Sequence, residues 1–251
     1  MRKKLFFAAF AAVAIAQGAM AQTNLQLFYD FGKDRKQVTG TIEGFHVDNW
    51  GNTFFFADFD AKHDANDPTG TKAPTGTYLE IARCLNFWQD TNMGLVSLQV
   101  EYNGGVYRGY HIPHALLVGA DVFLHSQDFS NTYNFKLLYK RIAGVSAKIP
   151  VQFTFVWGMQ DIFDIKGLRF SGFADFWFED HTLWNDETGT PYATPQSSPY
   201  VFISEPQLWY NVGQFIGVPN FHLGGEVELS YDFGSTKGFW ARPCLGAKWV
   251  F

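Results

Sequence analysis

The stretch TYNFKLLYK, Thr132 to Lys140, sets Tyr133, Phe135, Leu137 and Tyr139 against Asn134, Lys136, Leu138 and Lys140. A period of two over nine residues marks a strand whose two faces meet different surroundings. Lysines on one face call for water. Whether the other face meets a protein core or lipid decides the fold.

The same alternation recurs along the chain. Leu25, Leu27, Tyr29 and Phe31 oppose Asn24, Gln26 and Asp30, and Val96, Leu98, Val100 and Tyr102 oppose Ser97, Gln99 and Glu101. Leu116, Val118, Ala120, Val122 and Leu124 flank Asp121, while Phe153, Phe155 and Trp157 oppose Gln152 and Thr154. Phe221, Leu223, Val227 and Leu229 oppose His222, Glu226, Glu228 and Ser230.

This pattern predicts strands near 24–31, 37–47, 53–60, 77–88, 95–103, 115–124, 131–141, 149–158, 167–179, 200–211, 220–231 and 239–251, about twelve in all. The strands over 37–47 and 53–60 leave open which face is apolar, because TIEGFHV and FFFADFD do not separate the two. Arg83 breaks the pattern of its strand, since Ile81 and Leu85 share its face. A bulge or a side chain reaching to an interface accounts for it.

A soluble sandwich also alternates, with its apolar side inward, and is the competing fold. Closing twelve strands about 4.8 Å apart and tilted about 40° gives a backbone radius of roughly 12 Å. A lumen that wide and lined with Leu, Val and Phe would be a large wet apolar cavity. Turning the apolar face to lipid and the charged face to water removes the conflict. The expected fold is therefore an all-β transmembrane antiparallel up-and-down barrel over 22–251.

The first 21 residues fit that destination. Arg2, Lys3 and Lys4 precede an apolar run that ends on Ala19-Met20-Ala21, the pattern of a cleaved secretory signal peptide. The run from Leu5 to Ile15 is too short to cross a bilayer as a helix. Losing three of the 19 basic residues against 24 acidic ones takes the formal charge from −5 to −8, which argues against nucleic acid as a partner. Cys84 and Cys244 are the two cysteines; they could pair in an oxidising compartment or remain as two buried thiols.

The connections are unequal. AKHDANDPTGTKAPTG and HTLWNDETGTPYATPQSSP are long and polar, whereas DNWGN and QDTNM are short. Long loops outside and short turns on the periplasmic side are the asymmetry of a Gram-negative outer-membrane barrel. The last strand, with Leu245, Ala247, Trp249 and Phe251 on one face, resembles the signal read by the barrel-assembly machinery. Trp249 and Phe251 are its expected carriers.

At DNWGNTFFFADFD, Asp48 to Asp60, the chain resembles the Tsx-type nucleoside-specific channel proteins, and especially their uncharacterised Tsx-like members. GTYLEIARCLNF, FSGFADFWFED, SEPQLWYNVG and LGGEVELSYDFG extend the resemblance to about a third of the mature chain. It implies a twelve-stranded monomeric barrel in outer-membrane lipid with a narrow passage for nucleosides. No nucleoside-contacting position is carried over by it.

The predicted lumen face carries eight acids, Glu80, Glu101, Asp121, Asp175, Glu179, Glu205, Glu226 and Glu228, and five bases, Lys136, Lys140, Arg169, Arg242 and Lys248. Charges of both signs across a narrow passage select solutes by their field; the same charges, ion-paired, can simply fill a barrel. Phe173 and Trp177 alternate with Arg169, Asp175 and Glu179 and offer stacking surfaces for a flat polar ring.

Two other chemistries are weaker. His111 and His114 in YHIPH lack further ligands for a metal site in what reads as an outer loop, and no cofactor is called for. An outer-membrane lipid hydrolase needs a serine with a positioned histidine. His125 near Ser126 and His181 near Ser171 are candidates outside any nucleophile motif. Passive transport of small polar solutes is the expected function, with a plugged structural or surface-binding barrel as the alternative.

Overall fold

The computed structural model describes residues 22–33, 35–61, 75–107 and 110–251. The predicted signal peptide and most of the first long loop, 62–74, lie outside these residues. Thirteen strands are present: β1 (Gln22–Asp30), β2 (Val38–Asp48), β3 (Gly51–Ala61), β4 (Gly76–Leu85), β5 (Val96–Tyr107), β6 (Tyr110–His125), β7 (Asn131–Ile142), β8 (Val151–Gln160), β9 (Leu168–Asn185), β10 (Pro191–Ser204), β11 (Gln207–Tyr210), β12 (Phe221–Tyr231) and β13 (Phe239–Val250). They form one antiparallel sheet, and β13 pairs with both β12 and β1, so the sheet closes on itself.

β10 and β11 are one stave. Glu205 and Pro206 interrupt it, but Ser204 faces Ala174 and Gln207 faces Ser171 on β9 with no slip of register. The other edge keeps step as well, with Ser204 on Leu229 and Gln207 on Glu226. Pro206 has no N–H to donate, which breaks the ladder locally without displacing it. The barrel therefore has twelve staves, as the alternation predicts.

Burial is inverted relative to a soluble protein. Leu25, Leu27, Leu98, Val118, Phe135, Leu137, Phe153 and Leu245 are exposed, while Gln26, Gln99, Asp121, Gln152, Glu228 and Arg242 are buried. The inside-out facing expected for lipid is the one observed. β2 and β3, unsettled by sequence, follow it too: Thr39, Thr41 and Glu43 share the inward face with Phe54, Phe56, Asp58 and Asp60, and Ile42, Phe55 and Phe59 point out. The run of three phenylalanines puts an aromatic on both faces, which is why the pattern was ambiguous.

Two expected loops are strand instead. The segment 181–199 forms most of a tall hairpin, since β9 runs to Asn185 and β10 begins at Pro191. His111 and His114 lie on β6 rather than in a loop. Arg83 stays in unbroken register between β3 and β5 and faces outward. Its guanidinium reaches Asp48 at 2.8 Å and Thr53 at 3.0 Å beside the β2–β3 turn, so it is a side chain reaching to the rim and not a bulge.

Candidate functional site

Twelve of the thirteen charged residues predicted to face the lumen have the inward register, and Glu205, in the break between β10 and β11, keeps the same parity as Ile203 and Gln207. The structure adds Asp30, Glu43, Asp58 and Asp60 from β1 to β3, and Arg35 from the β1–β2 connection. β4 and β9 are five staves apart in a ring of twelve, close to opposite. Even so, Glu80 and Asp175 lie within electrostatic reach of each other. Asp58 of β3 likewise reaches Glu205 of β10, and Glu43 of β2 reaches Arg169 of β9. Side chains from facing walls thus approach one another, and at two of these three places acid faces acid.

The lumen is built from local hydrogen-bonded groups joined by these crossings. Near the connections 31–37 and 232–238, Glu228 receives Arg242 at 2.6 Å and Arg35 at 2.5 Å, Arg35 lies 3.6 Å from Asp30, and Ser230 accepts from Arg242 at 3.0 Å. Arg35 is a lumen residue that sequence reasoning missed, because nothing in a polar loop shows that it folds inward. Beside this knot Asp60 accepts from Thr39 at 2.5 Å and Tyr107 at 2.6 Å, and Asp58 accepts from Thr41 at 2.5 Å.

On the β4 to β9 side, Asp121 accepts both bonds of the Asn134 amide, at 3.0 and 2.9 Å, and the Cys84 thiol at 3.4 Å. Lys140 donates to Gln152 at 2.7 Å and stands 3.7 Å above the Trp177 ring. Trp177 donates to Glu179 at 2.8 Å, and Glu179 also binds His181. Lys136, Thr154 and Asp175 are successive register partners on β7, β8 and β9. Glu226 accepts from Gln207 at 2.8 Å, and Lys248 lies 4.1 Å over the Trp209 ring.

Apolar side chains also enter the lumen. Phe28, Trp209 and Cys244 form one buried cluster, Ala115, Leu117 and Leu138 a second, and Trp177, Val201 and Ile203 a third, with Phe173 and Phe233 packed on it. Phe233 meets Trp177 edge-on at 6.3 Å, so the β12–β13 connection folds over the inner wall. By contrast Arg169, on the inward face near the start of β9, is exposed at that end of the lumen. Cys84 and Cys244 are free and buried in different walls, which answers the pairing question.

The remaining candidate chemistries do not assemble. His125 Nδ1 donates to the Ser126 carbonyl, 2.7 Å away, while the Ser126 hydroxyl donates to Asp128 at 2.6 Å. His181 is held by Glu179, and its cross-strand partner is Ser198 rather than Ser171. His114 binds the Tyr102 hydroxyl. Among the described residues no three His, Cys, Asp or Glu side chains converge as metal ligands.

A closed all-β barrel with an apolar outer belt and a charged lumen defines a membrane-type barrel protein. The chain belongs to the family described as Domain of unknown function (DUF5020), which it matches over residues 21–251. No curated protein matches it in sequence. Solved structures similar in fold include the NanC porin, at 8% identity and a TM-score of 0.51, covering 91% of this chain and 98% of that one. The KdgM porin solved with disordered oligogalacturonate aligns at 8% identity and a TM-score of 0.49, over 92% and 99% of the two chains. The outer membrane channel DcaP of Acinetobacter baumannii aligns at 14% identity and a TM-score of 0.38, over 86% of this chain and 64% of its own. The NanC likeness agrees with the barrel fold.

Proposed function

We propose that the protein is an outer-membrane channel for passive uptake of small polar solutes in a Gram-negative bacterium. The observation that carries the proposal is the inversion of burial, because a charged interior wrapped in an exposed apolar belt suits lipid outside and an aqueous route inside. On this reading residues 1–21 are a removed signal peptide, the barrel-assembly machinery reads Trp249 and Phe251, and the barrel works as a monomer. The passage is lined by Glu80, Asp121, Lys136, Arg169, Phe173, Asp175, Trp177, Glu179, Glu205, Glu226 and Glu228. Its acid excess favours cations weakly over anions. The aromatic faces of Phe173 and Trp177 next to carboxylates suit nucleosides, in keeping with the Tsx-like resemblance.

The knot of Arg35, Arg242, Glu228 and Asp30, together with the inward-folded 232–238 connection, favours a second reading: a barrel plugged by its own side chains. Planar-bilayer recordings of the purified chain separate the two. Stepwise cation-preferring conductance that nucleosides reduce in a saturable manner is expected. Conductance without any nucleoside effect leaves a general small porin, and no conductance makes the plugged barrel the better account.

A further inference from the structure

In the middle of the lumen the acceptors outnumber the donors, and two of them are buried with no partner. Glu80 lies on β4, with Asn103 directly opposite it on β5 and Glu101 two residues along the same face. Asp175 approaches Glu80 and Glu101 from the far wall. The Tyr78 hydroxyl donates to one Glu80 oxygen at 2.6 Å, and the Gln99 amide donates to one Glu101 oxygen at 2.6 Å. Asn103 is only 6% exposed, yet its Oδ1 has no hydrogen-bond partner among the described residues, and the same holds for Oδ1 of Asp175. A buried acceptor without a donor is costly, so two in one group mark a place built to receive N–H or O–H groups.

Lys140 lies within electrostatic reach of Glu80, Glu101 and Asp175, yet neither it nor Lys136 supplies a hydrogen bond to the two unpartnered oxygens. Lys140 is engaged with Gln152 and the Trp177 ring, and Lys136 is two staves from Asp175, across Thr154. Among the described residues no three His, Cys, Asp or Glu side chains are placed as ligands of a metal ion. Aromatic rings complete the surroundings: Phe56 is the register partner of Glu80 on β3, and the Tyr78 ring lies 5.9 Å from it. Carboxylates, carboxamide oxygens and ring faces together recognise an ammonium group attached to a small carbon skeleton.

We propose that Glu80, Glu101, Asn103 and Asp175 form a mid-lumen binding site for small organic cations that carry a primary ammonium group. The site rests on the channel reading for its access and deepens it by naming a solute class. The ammonium donates to the free oxygens of Asn103 and Asp175 and sits between the carboxylates of Glu80 and Glu101. The chain beyond it runs along Phe56 and Tyr78. A neutral diol of the same length gains none of the charge-assisted bonds.

The test is putrescine block of single-channel current, with 1,4-butanediol as the uncharged probe. Block by putrescine and none by butanediol is expected. Asp175→Asn and Glu80→Gln should each weaken it about tenfold, the scale of one charged hydrogen bond. Asn103→Asp should strengthen it. Heat-modifiable gel mobility verifies that each variant is folded. Equal block by the two probes, or putrescine block unchanged in all three folded variants, overturns the site. If the wild-type chain shows no conductance, the channel reading fails by itself, and calorimetry of putrescine with the detergent-solubilised chain decides the site. Binding weakened by Asp175→Asn upholds it, and no binding overturns it.

Discussion

Replacing Leu137 by arginine tests the orientation of the whole barrel at one position. Leu137 sits mid-way along β7 on the outer face, 53% exposed, between Ala120 and Phe153 on the neighbouring staves. If that exposed surface lies in hydrocarbon, losing it forfeits about 1 kcal/mol, roughly half of what a fully transferred leucine contributes. The guanidinium adds its own desolvation, and the measured depth scale for barrels sets the total at about 2–4 kcal/mol. On a water-facing strand the same change stays within about 0.5 kcal/mol. Thr154→Arg is the comparison, because Thr154 faces inward between Lys136 and Asp175, where the new charge meets a carboxylate. Its cost should be about 1 kcal/mol or less. Guanidinium titration of the purified chain in lipid vesicles, followed by the fluorescence of its eight tryptophans and by unheated gel mobility, reads both. A neutral Leu137→Arg, or equal losses for the two variants, would refute the inside-out assignment.

Further outcomes follow from other parts of the barrel. Glu228→Gln removes the charge that holds two arginines, so it should destabilise the fold by about 3 kcal/mol and raise conductance as the 31–37 connection loosens; an unchanged midpoint and unchanged current would count against the knot. Deleting Phe251, whose N–H bonds the Thr23 carbonyl at 2.9 Å, should lower the amount of assembled barrel while leaving export intact, as judged by fractionation. Cys84 and Cys244 should react with maleimide only after unfolding, and reductant should leave gel mobility unaltered; a reductant-sensitive shift would contradict two free thiols. Arg83→Leu should cost no more than about 1 kcal/mol in the same vesicle titration, since the Asp48 pair it removes is at the rim.

The parts of the fold that were legible share one property: their two faces meet opposite solvents. β5, β7 and β12 have an exposed apolar face outward and a polar face toward the lumen, so the two environments force the period of two onto their sequences. The upper halves of β9 and β10 lack that contrast. There HTLWNDETGTPYATPQSSP reads as a loop, because only Leu183 and Ser198 of it are buried, too few to impose an alternation on so polar a stretch. β2 and β3 failed for the opposite reason, with Phe54 and Phe56 inside and Phe55 and Phe59 outside. At the site, each wall's own charges could be read from parity. The meetings of Glu80 with Asp175 and Asp58 with Glu205 join residues far apart in sequence and follow only from closure of the ring. Arg35 reaches the lumen through the path of a connection, on which strand periodicity has no bearing.

The unequal heights of the staves have a practical consequence. β9 spans 18 residues beside the ten of β8, which lifts the β9–β10 tip roughly 20 Å above its neighbour at usual strand rise and tilt. That tip is stiffened by Asp186, which accepts from the backbone N–H groups of Thr188 and Thr190 at 2.8 and 2.9 Å. The hairpin leans on the 232–238 connection through the Asn185–Thr236 bridge and the Lys237 N–H on the Asn185 carbonyl, so the rim is tall on that side and low beside β8. A peptide epitope spliced in at Thr188 would stand clear of both bilayer and lumen, so antibody staining of intact cells would report which compartment that end of the barrel faces.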